Sequence, residues 1–282
     1  MRKTTLLTTA GLLLVGSART LAQTTDPSLG NEDTPFVRNI RPDRPGQTIT
    51  TNMLNPGQFQ LETGISSQPD PFAPGTSTTR NLSTGLLRIG FFNNIELRVS
   101  QGYLSPLAAT SRATEAGSTD VVRPAGFTPT TVGAKFLAST TPNARSQVVV
   151  LAEMTMLNGD NTLKPTQYEP AARLLVSQQI GERFGLEANF GFRQRGFKAA
   201  DTKRGTYLGT LALNGPLTNS VGFFAETYAT WQQQSTLAPG VTSGLYWRPW
   251  PGLRLDVNAG KAFSGLAKGT TVGAGLSLRV GR

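Results

Sequence analysis

Between Phe184 and Gln194 the chain alternates: Phe184, Leu186, Ala188, Phe190 and Phe192 fall on one parity, and Glu187, Asn189, Gly191 and Arg193 on the other. A period of two is the side-chain period of extended backbone, so this stretch predicts a strand with one greasy and one polar face. Ile95, Leu97 and Val99 alternate in the same way with Glu96, Arg98 and Ser100, as do Leu253, Leu255, Val257 and Ala259 with Arg254, Asp256 and Asn258. Similar segments lie at 58–66, 80–91, 95–103, 130–138, 147–156, 171–180, 184–194, 206–214, 221–231, 241–248, 253–263 and 270–280, which makes twelve predicted strands. Each is about ten residues long, the length a tilted strand needs to cross a bilayer.

The connections between these segments alternate in length. Those after the first, third and fifth strands are long, the longest running over 104–129, while the intervening ones are tight turns such as Asn93-Asn94, Gly181-Glu182-Arg183, Asn214-Gly215-Pro216 and Pro249-Trp250-Pro251-Gly252. Those turns carry the Gly, Pro and Asn that sharp reversals require. An even number of strands with one rim of loops and one of tight turns predicts an all-β fold, an antiparallel up-and-down transmembrane β-barrel of about twelve strands. A secreted two-sheet sandwich with polar outer faces shares the period of two, but it does not call for alternating connections.

The N-terminus reads differently. Arg2 and Lys3 precede a mostly apolar stretch from Leu6 to Val15, interrupted by Thr8 and Thr9 and followed by Leu21-Ala22-Gln23. This predicts a signal peptide over 1–22, cleaved after Ala22, and export to the bacterial outer membrane. Residues 23–57 are rich in Thr, Pro, Asp and Asn without sustained periodicity and are expected to be irregular, ahead of a barrel over 58–282. No later segment reaches the ~18 consecutive apolar residues of a membrane-spanning helix.

The chain has no Cys and no His, which removes thiol and imidazole catalysis, Ser-His-Asp triads, disulfides and His or Cys metal sites. An enzyme is not expected, because a Ser nucleophile would need a carboxylate or Lys as its base. No cofactor and no metal are expected either: Asp160, Asn161 and Thr162 offer oxygen atoms without the regular spacing of a calcium loop. Lys and Arg number 27 against 17 Asp and Glu, but the basic residues are dispersed and form no run suited to nucleic acid.

If the apolar faces meet lipid, the opposite faces carry charge into the lumen. Glu62, Arg88, Glu96, Arg98 and Lys135 come from the first half of the chain, with Glu153 and Arg173 following. Glu187, Arg193, Glu226, Arg254, Asp256 and Arg279 continue the series. In so narrow a barrel they either line a small wet channel or pair across it and close it. Asp43 and Arg44, just before the first strand, could fold into the mouth as a plug by pairing with these charges, or belong to an exposed lead-in. Trp247 and Trp250 flank a tight turn and are candidates for the aromatic girdle at the membrane boundary.

The stretch Asp43-Arg44-Pro45-Gly46, then Asn55-Pro56-Gly57-Gln58-Phe59-Gln60-Leu61-Glu62-Thr63-Gly64, resembles the opening of a family of outer-membrane proteins named for the phenol meta-degradation pathway. Gly244-Leu245-Tyr246, Leu253-Arg254-Leu255-Asp256, Ala259-Gly260 and Val272 to Ser277 are similar to its closing strands. The resemblance spans Asp43 to Val280 and implies a barrel acting as a transporter or passive pore for small solutes, hydrophobic or aromatic compounds among them. The expected partners are outer-membrane lipids, the barrel-assembly machinery and the solute. The alternative is a closed structural or adhesive barrel that works through its outer loops. One departure is the ending Arg279-Val280-Gly281-Arg282, where family members tend to end on an aromatic residue.

Overall fold

The computed structural model describes residues 40–69, 79–106, 125–141, 145–160, 163–181, 183–194, 205–232, 236–265 and 268–281. The expected signal peptide lies outside them. The strands are β1 (Phe59–Pro69), β2 (Thr79–Phe92), β3 (Ile95–Pro106), β4 (Gly126–Phe127), β5 (Thr131–Thr140), β6 (Ser146–Thr155) and β7 (Glu169–Ile180). They continue with β8 (Phe184–Gln194), β9 (Gly205–Pro216), β10 (Val221–Gln232), β11 (Ala238–Trp250), β12 (Leu253–Ala262) and β13 (Gly269–Val280).

Sequential strands pair antiparallel, and β1 pairs with both β2 and β13, from Phe59 opposite Val280 to Ser67 opposite Val272. The sheet therefore closes into a twelve-stranded barrel. Closure removes the unpaired edges that an open sheet would expose, and it is the only way strands can satisfy their backbone groups in lipid. The two-residue β4 stands outside the ring. It pairs with the outer end of β3, Tyr103 facing Phe127, while β3 pairs directly with β5. The alternation had shown 104–129 only as a long loop, since two residues carry no period.

The burial pattern is that of a protein turned inside out. Arg88, Lys135 and Glu96 are 0% exposed, whereas Phe190 is 65% exposed. Water as the outer solvent would penalise both features, and lipid explains both. Aromatic rings gather near the two rims. Phe192, Tyr207 and Trp231 form a stack near the long-connection rim, with centroids 5.1 and 5.0 Å apart. Near the tight-turn rim Phe184 meets Phe223 edge-on, and Trp247 and Trp250 face outward.

Three register shifts interrupt the ladders, at Gly90/Phe92, Leu137/Ser139 and Trp247/Trp250, all near the tight-turn rim. The third sets Arg248 and Pro249 against the single residue Arg254. Pro249 has no N–H to give a ladder, so a bulge is where a strand accommodates it.

Leu174, an outward residue of β7, tests the lipid assignment. Leu174→Arg is expected to cost about 2–4 kcal/mol of folding stability, read as a lower urea midpoint for the heat-modifiable form in lipid vesicles. An unchanged midpoint would contradict a lipid-facing Leu174.

Candidate functional site

Residues 40–57 form neither helix nor strand, yet they are packed within the barrel. The contacts trace the path. Leu54 N–H donates to Glu96 of β3 (2.9 Å), and the Thr51 hydroxyl meets Gln147 of β6 and Ser177 of β7. Thr50 reaches Glu187 and Ile49 reaches Asn189, both on β8. Thr48 contacts Thr210 of β9, and Gln47 contacts Glu226 of β10. Arg44 then reaches Asp256 of β12 and the carbonyl of Ala274 on β13, and Asp43 returns to Glu62 on β1. Only a segment lying inside the ring can touch strands all the way around it, so residues 43–54 form a collar against the inner wall.

The collar is irregular because side chains of the wall, rather than a neighbouring strand, take up its backbone groups. Glu226 accepts the N–H groups of Gln47 and Thr48 at 2.8–3.0 Å. Asn189 accepts from Ile49 N–H at 2.6 Å and donates to the Ile49 carbonyl at 3.0 Å, imitating a ladder pair with one amide. Glu62 accepts from the N–H groups of Asp43 and Arg44. Arg88 donates to the carbonyls of Arg41 and Asn52, and Lys135 to that of Thr50. Buried backbone without such partners would cost roughly 1–3 kcal/mol for each orphaned group.

The two ends of the circuit are fastened by one cluster of charges. The Asp43 carboxylate meets Lys135 Nζ at 2.8 Å, Arg98 Nη1, and Arg88 at 3.7 Å, and it also accepts from Thr50 N–H. Arg88 in turn makes a two-pronged bond to Glu96 (2.7 and 2.8 Å) and a single one to Glu62 (3.1 Å). Burial raises the pKa of Asp43, but Arg88, Lys135 and Arg98 outweigh it and hold the carboxyl well below the usual range. Ile49 and Met53 of the collar pack on Val149, Leu151, Leu175 and Leu137 of the wall, an apolar patch within an otherwise polar interior.

Close approach also shapes the glycines. The Arg44 guanidinium lies over Gly64 and Gly275, and Glu226 lies 2.6 Å from where a Cβ would sit on Gly46. At Gly90 a Cβ would strike the Asn55 carbonyl, and Gly57 N–H bonds to the Gly90 carbonyl at 3.0 Å.

Of the charged residues singled out in the sequence, Glu62, Arg88, Glu96, Arg98 and Lys135 converge on Asp43, with Glu153 behind Arg98 at 3.8 Å. Glu187, Glu226, Arg173, Arg254 and Asp256 touch the collar at other points. Arg193 and Arg279 are half-buried near opposite rims, at the ends of β8 and β13. Sequence reasoning missed Asn189, Gln147, Ser177 and Thr210 as collar partners. It did place Asn189 on the polar face of its strand, but nothing in the alternation tells which polar residue will meet a backbone. Asp160 accepts from Phe127 N–H at 2.8 Å and so fastens β4; Asn161 and Thr162 lie outside the described residues.

Asp43→Asn keeps the shape but removes the anion that three cations surround. It is expected to weaken collar docking by about 3–5 kcal/mol, making residues 40–57 cleavable by protease while heat-modifiable migration persists. Because the Asp43 pKa is depressed, its contribution is complete above the ordinary carboxylate range and is lost as pH falls through the lower folded value. Resistance of the wild-type collar to pepsin should therefore persist through about pH 4, and its loss already there would contradict the cluster.

A family profile described as "Putative MetA-pathway of phenol degradation" matches residues 42–280. Among solved structures, the COG4313 outer membrane channel from Pseudomonas putida F1 is similar with a TM-score of 0.62 at 10% identity, over 84% of this chain and 99% of that one. The NanC porin gives 0.54 at 6% identity, over 79% of this chain and 99% of that one. The KdgM porin gives 0.52 at 9%, over 78% and 98%. At such identities the likeness is one of fold. No curated protein sequence matches the chain.

Proposed function

Since the chain belongs to the family described as "Putative MetA-pathway of phenol degradation", we propose that it is an outer-membrane channel for small solutes whose passage is limited by the collar. The observation that carries this reading is a closed barrel with a charged interior and a lipid-compatible exterior, crossed by a segment held through side chains instead of strand pairing. The rim of tight turns faces the periplasm and the long connections face outward, as the even strand count requires if both ends of the barrel lie inside. Lipids cover the apolar exterior, and the barrel-assembly machinery inserts the chain. Trp247 and Trp250 anchor the inner boundary, joined at the outer one by the Phe192, Tyr207 and Trp231 stack.

Asp43 and Arg44 act as the fastening of a plug. The collar's partners are spread around the ring, so releasing Asp43 loosens the collar from β1–β5 while Glu226 and Asn189, through Gln47, Thr48 and Ile49, still hold it to β8–β10. The lumen charges Glu62, Arg88, Glu96, Arg98, Lys135 and Glu153 serve this fastening first, and line the path once it opens. Aromatic compounds fit the family's name, and the apolar patch under Ile49 and Met53 gives them a surface within the lumen. No catalytic role is proposed for any residue.

The same buried collar also favours the second reading, a barrel that stays closed and acts through its outer loops. Planar bilayers separate the two. A channel predicts small unitary currents in the wild type and larger ones in Asp43→Asn and Glu226→Ala. Silent membranes for all three folded proteins would leave the closed barrel as the better account.

A further inference from the structure

The charges of the interior are unevenly distributed. On the β1–β5 side, Arg88, Arg98 and Lys135 are interleaved with Asp43, Glu62 and Glu96. The β11–β13 wall is different: its inward residues toward the tight-turn rim are Tyr246, Arg248, Arg254 and Arg279, and the single acidic residue in these three strands is Asp256. That carboxylate is met by Arg44 at 3.4 Å, which brings a further guanidinium to the same wall. Glu226, the carboxylate on the adjoining β10, is committed to the N–H groups of Gln47 and Thr48.

Two arginines of this wall share one ring. Arg254 Cζ lies 4.1 Å and Arg248 Cζ 4.4 Å from the centroid of Tyr246, whose hydroxyl donates to the Gly215 carbonyl. Arg248 has the inward parity of Tyr246 and follows the register that sets Tyr246 against Asp256 and Trp247 against Leu255, which brings it opposite Arg254 at the edge of the bulge. Gly222 makes room for the ring, since a Cβ there would collide with it. Arg254 is 6% exposed, its Nε has no hydrogen-bond partner, and its Nη2 makes only a long bond of 3.4 Å to the Arg44 carbonyl. A buried guanidinium with an unused N–H costs free energy until an acceptor arrives.

We propose that Arg254, stacked with Arg248 on Tyr246, forms a binding site for a small oxyanion, a carboxylate or a phosphate, at the tight-turn end of the lumen. Planar guanidinium is suited to both, since its parallel N–H groups match two acceptor oxygens. The site deepens the channel reading by naming the charge class of its solute, and as a selectivity element it rests on that reading. As a binding site it does not.

Two measurements separate these. In the first, chloride is the probe: line broadening of its NMR signal is followed with the folded mature protein in uncharged detergent, and benzoate or inorganic phosphate is added as competitor. Broadening should weaken about tenfold in Arg254→Gln, the loss expected for one charge-assisted hydrogen bond, and be largely retained in Arg254→Lys. Heat-modifiable migration of each variant establishes that it is folded. Displacement by benzoate alone assigns a carboxylate, and displacement by phosphate alone assigns a phosphate. Equal broadening in wild type and Arg254→Gln, or no displacement by either competitor, overturns the site. The second measurement is the reversal potential across a bilayer in a potassium chloride gradient. Anion preference in the wild type that shrinks in Arg254→Gln extends the site to selectivity, and open channels with no such shift refute that extension. Silent bilayers with broadening intact would defeat the channel reading and leave the site standing.

Discussion

Backbone amides and carbonyls enclosed in a narrow barrel must find partners, and for residues 43–54 no strand is available to supply them. Everything distinctive about the interior follows from that constraint. Carboxylates on β1, β3 and β10 accept the N–H groups, and cations on β2 and β5 donate to the carbonyls. A collar held in this way is ordered without belonging to the sheet. It can therefore separate from the wall while every ladder bond of the barrel remains, which a strand of the barrel could not do.

The cost of burying so many charges is met by their mutual arrangement. An isolated ion in a medium of low dielectric is strongly disfavoured, and pairing repays that only with good geometry. Around Asp43 the geometry is good: each carboxylate oxygen has a cationic partner, and the Arg88 guanidinium divides its donors among Glu96, Glu62 and two backbone carbonyls. Such a cluster is fragile to the loss of one member and robust otherwise, as befits a fastening. The β11–β13 wall has a single carboxylate, Asp256, among its arginines, and Arg254 keeps an N–H without an acceptor.

The fold was largely legible because alternation and the length of connections are local features. Phe184 to Gln194 announced a two-faced strand, and β8 occupies those residues. The polar parity of Glu62, Glu96 and Lys135 likewise follows from their apolar neighbours. The collar was legible only as composition: residues 23–57 carry no period, and whether Asp43 pointed into the barrel or away from it depended on partners 19 to 92 positions distant. Asn189 shows the limit well, since its place on a polar face was plain while its pairing with Ile49 N–H and C=O was not. Arg248 was hidden for another reason. It shares the inward parity of Tyr246, but it adjoins the turn residues Pro249 to Gly252, where alternation does not tell a lumen residue from a rim residue.

The most direct test of the account is a cross-link between collar and wall. The hydroxyls of Thr51 and Ser177 lie 2.7 Å apart, and the chain has no cysteine of its own, so the double variant Thr51→Cys, Ser177→Cys carries a single possible disulfide. With the collar seated inside the barrel, mild oxidation of outer membranes should join the two residues nearly completely, recognised by a gel shift that reductant reverses. No cross-link, with both thiols open to a membrane-impermeant reagent, would mean that the collar does not occupy the lumen.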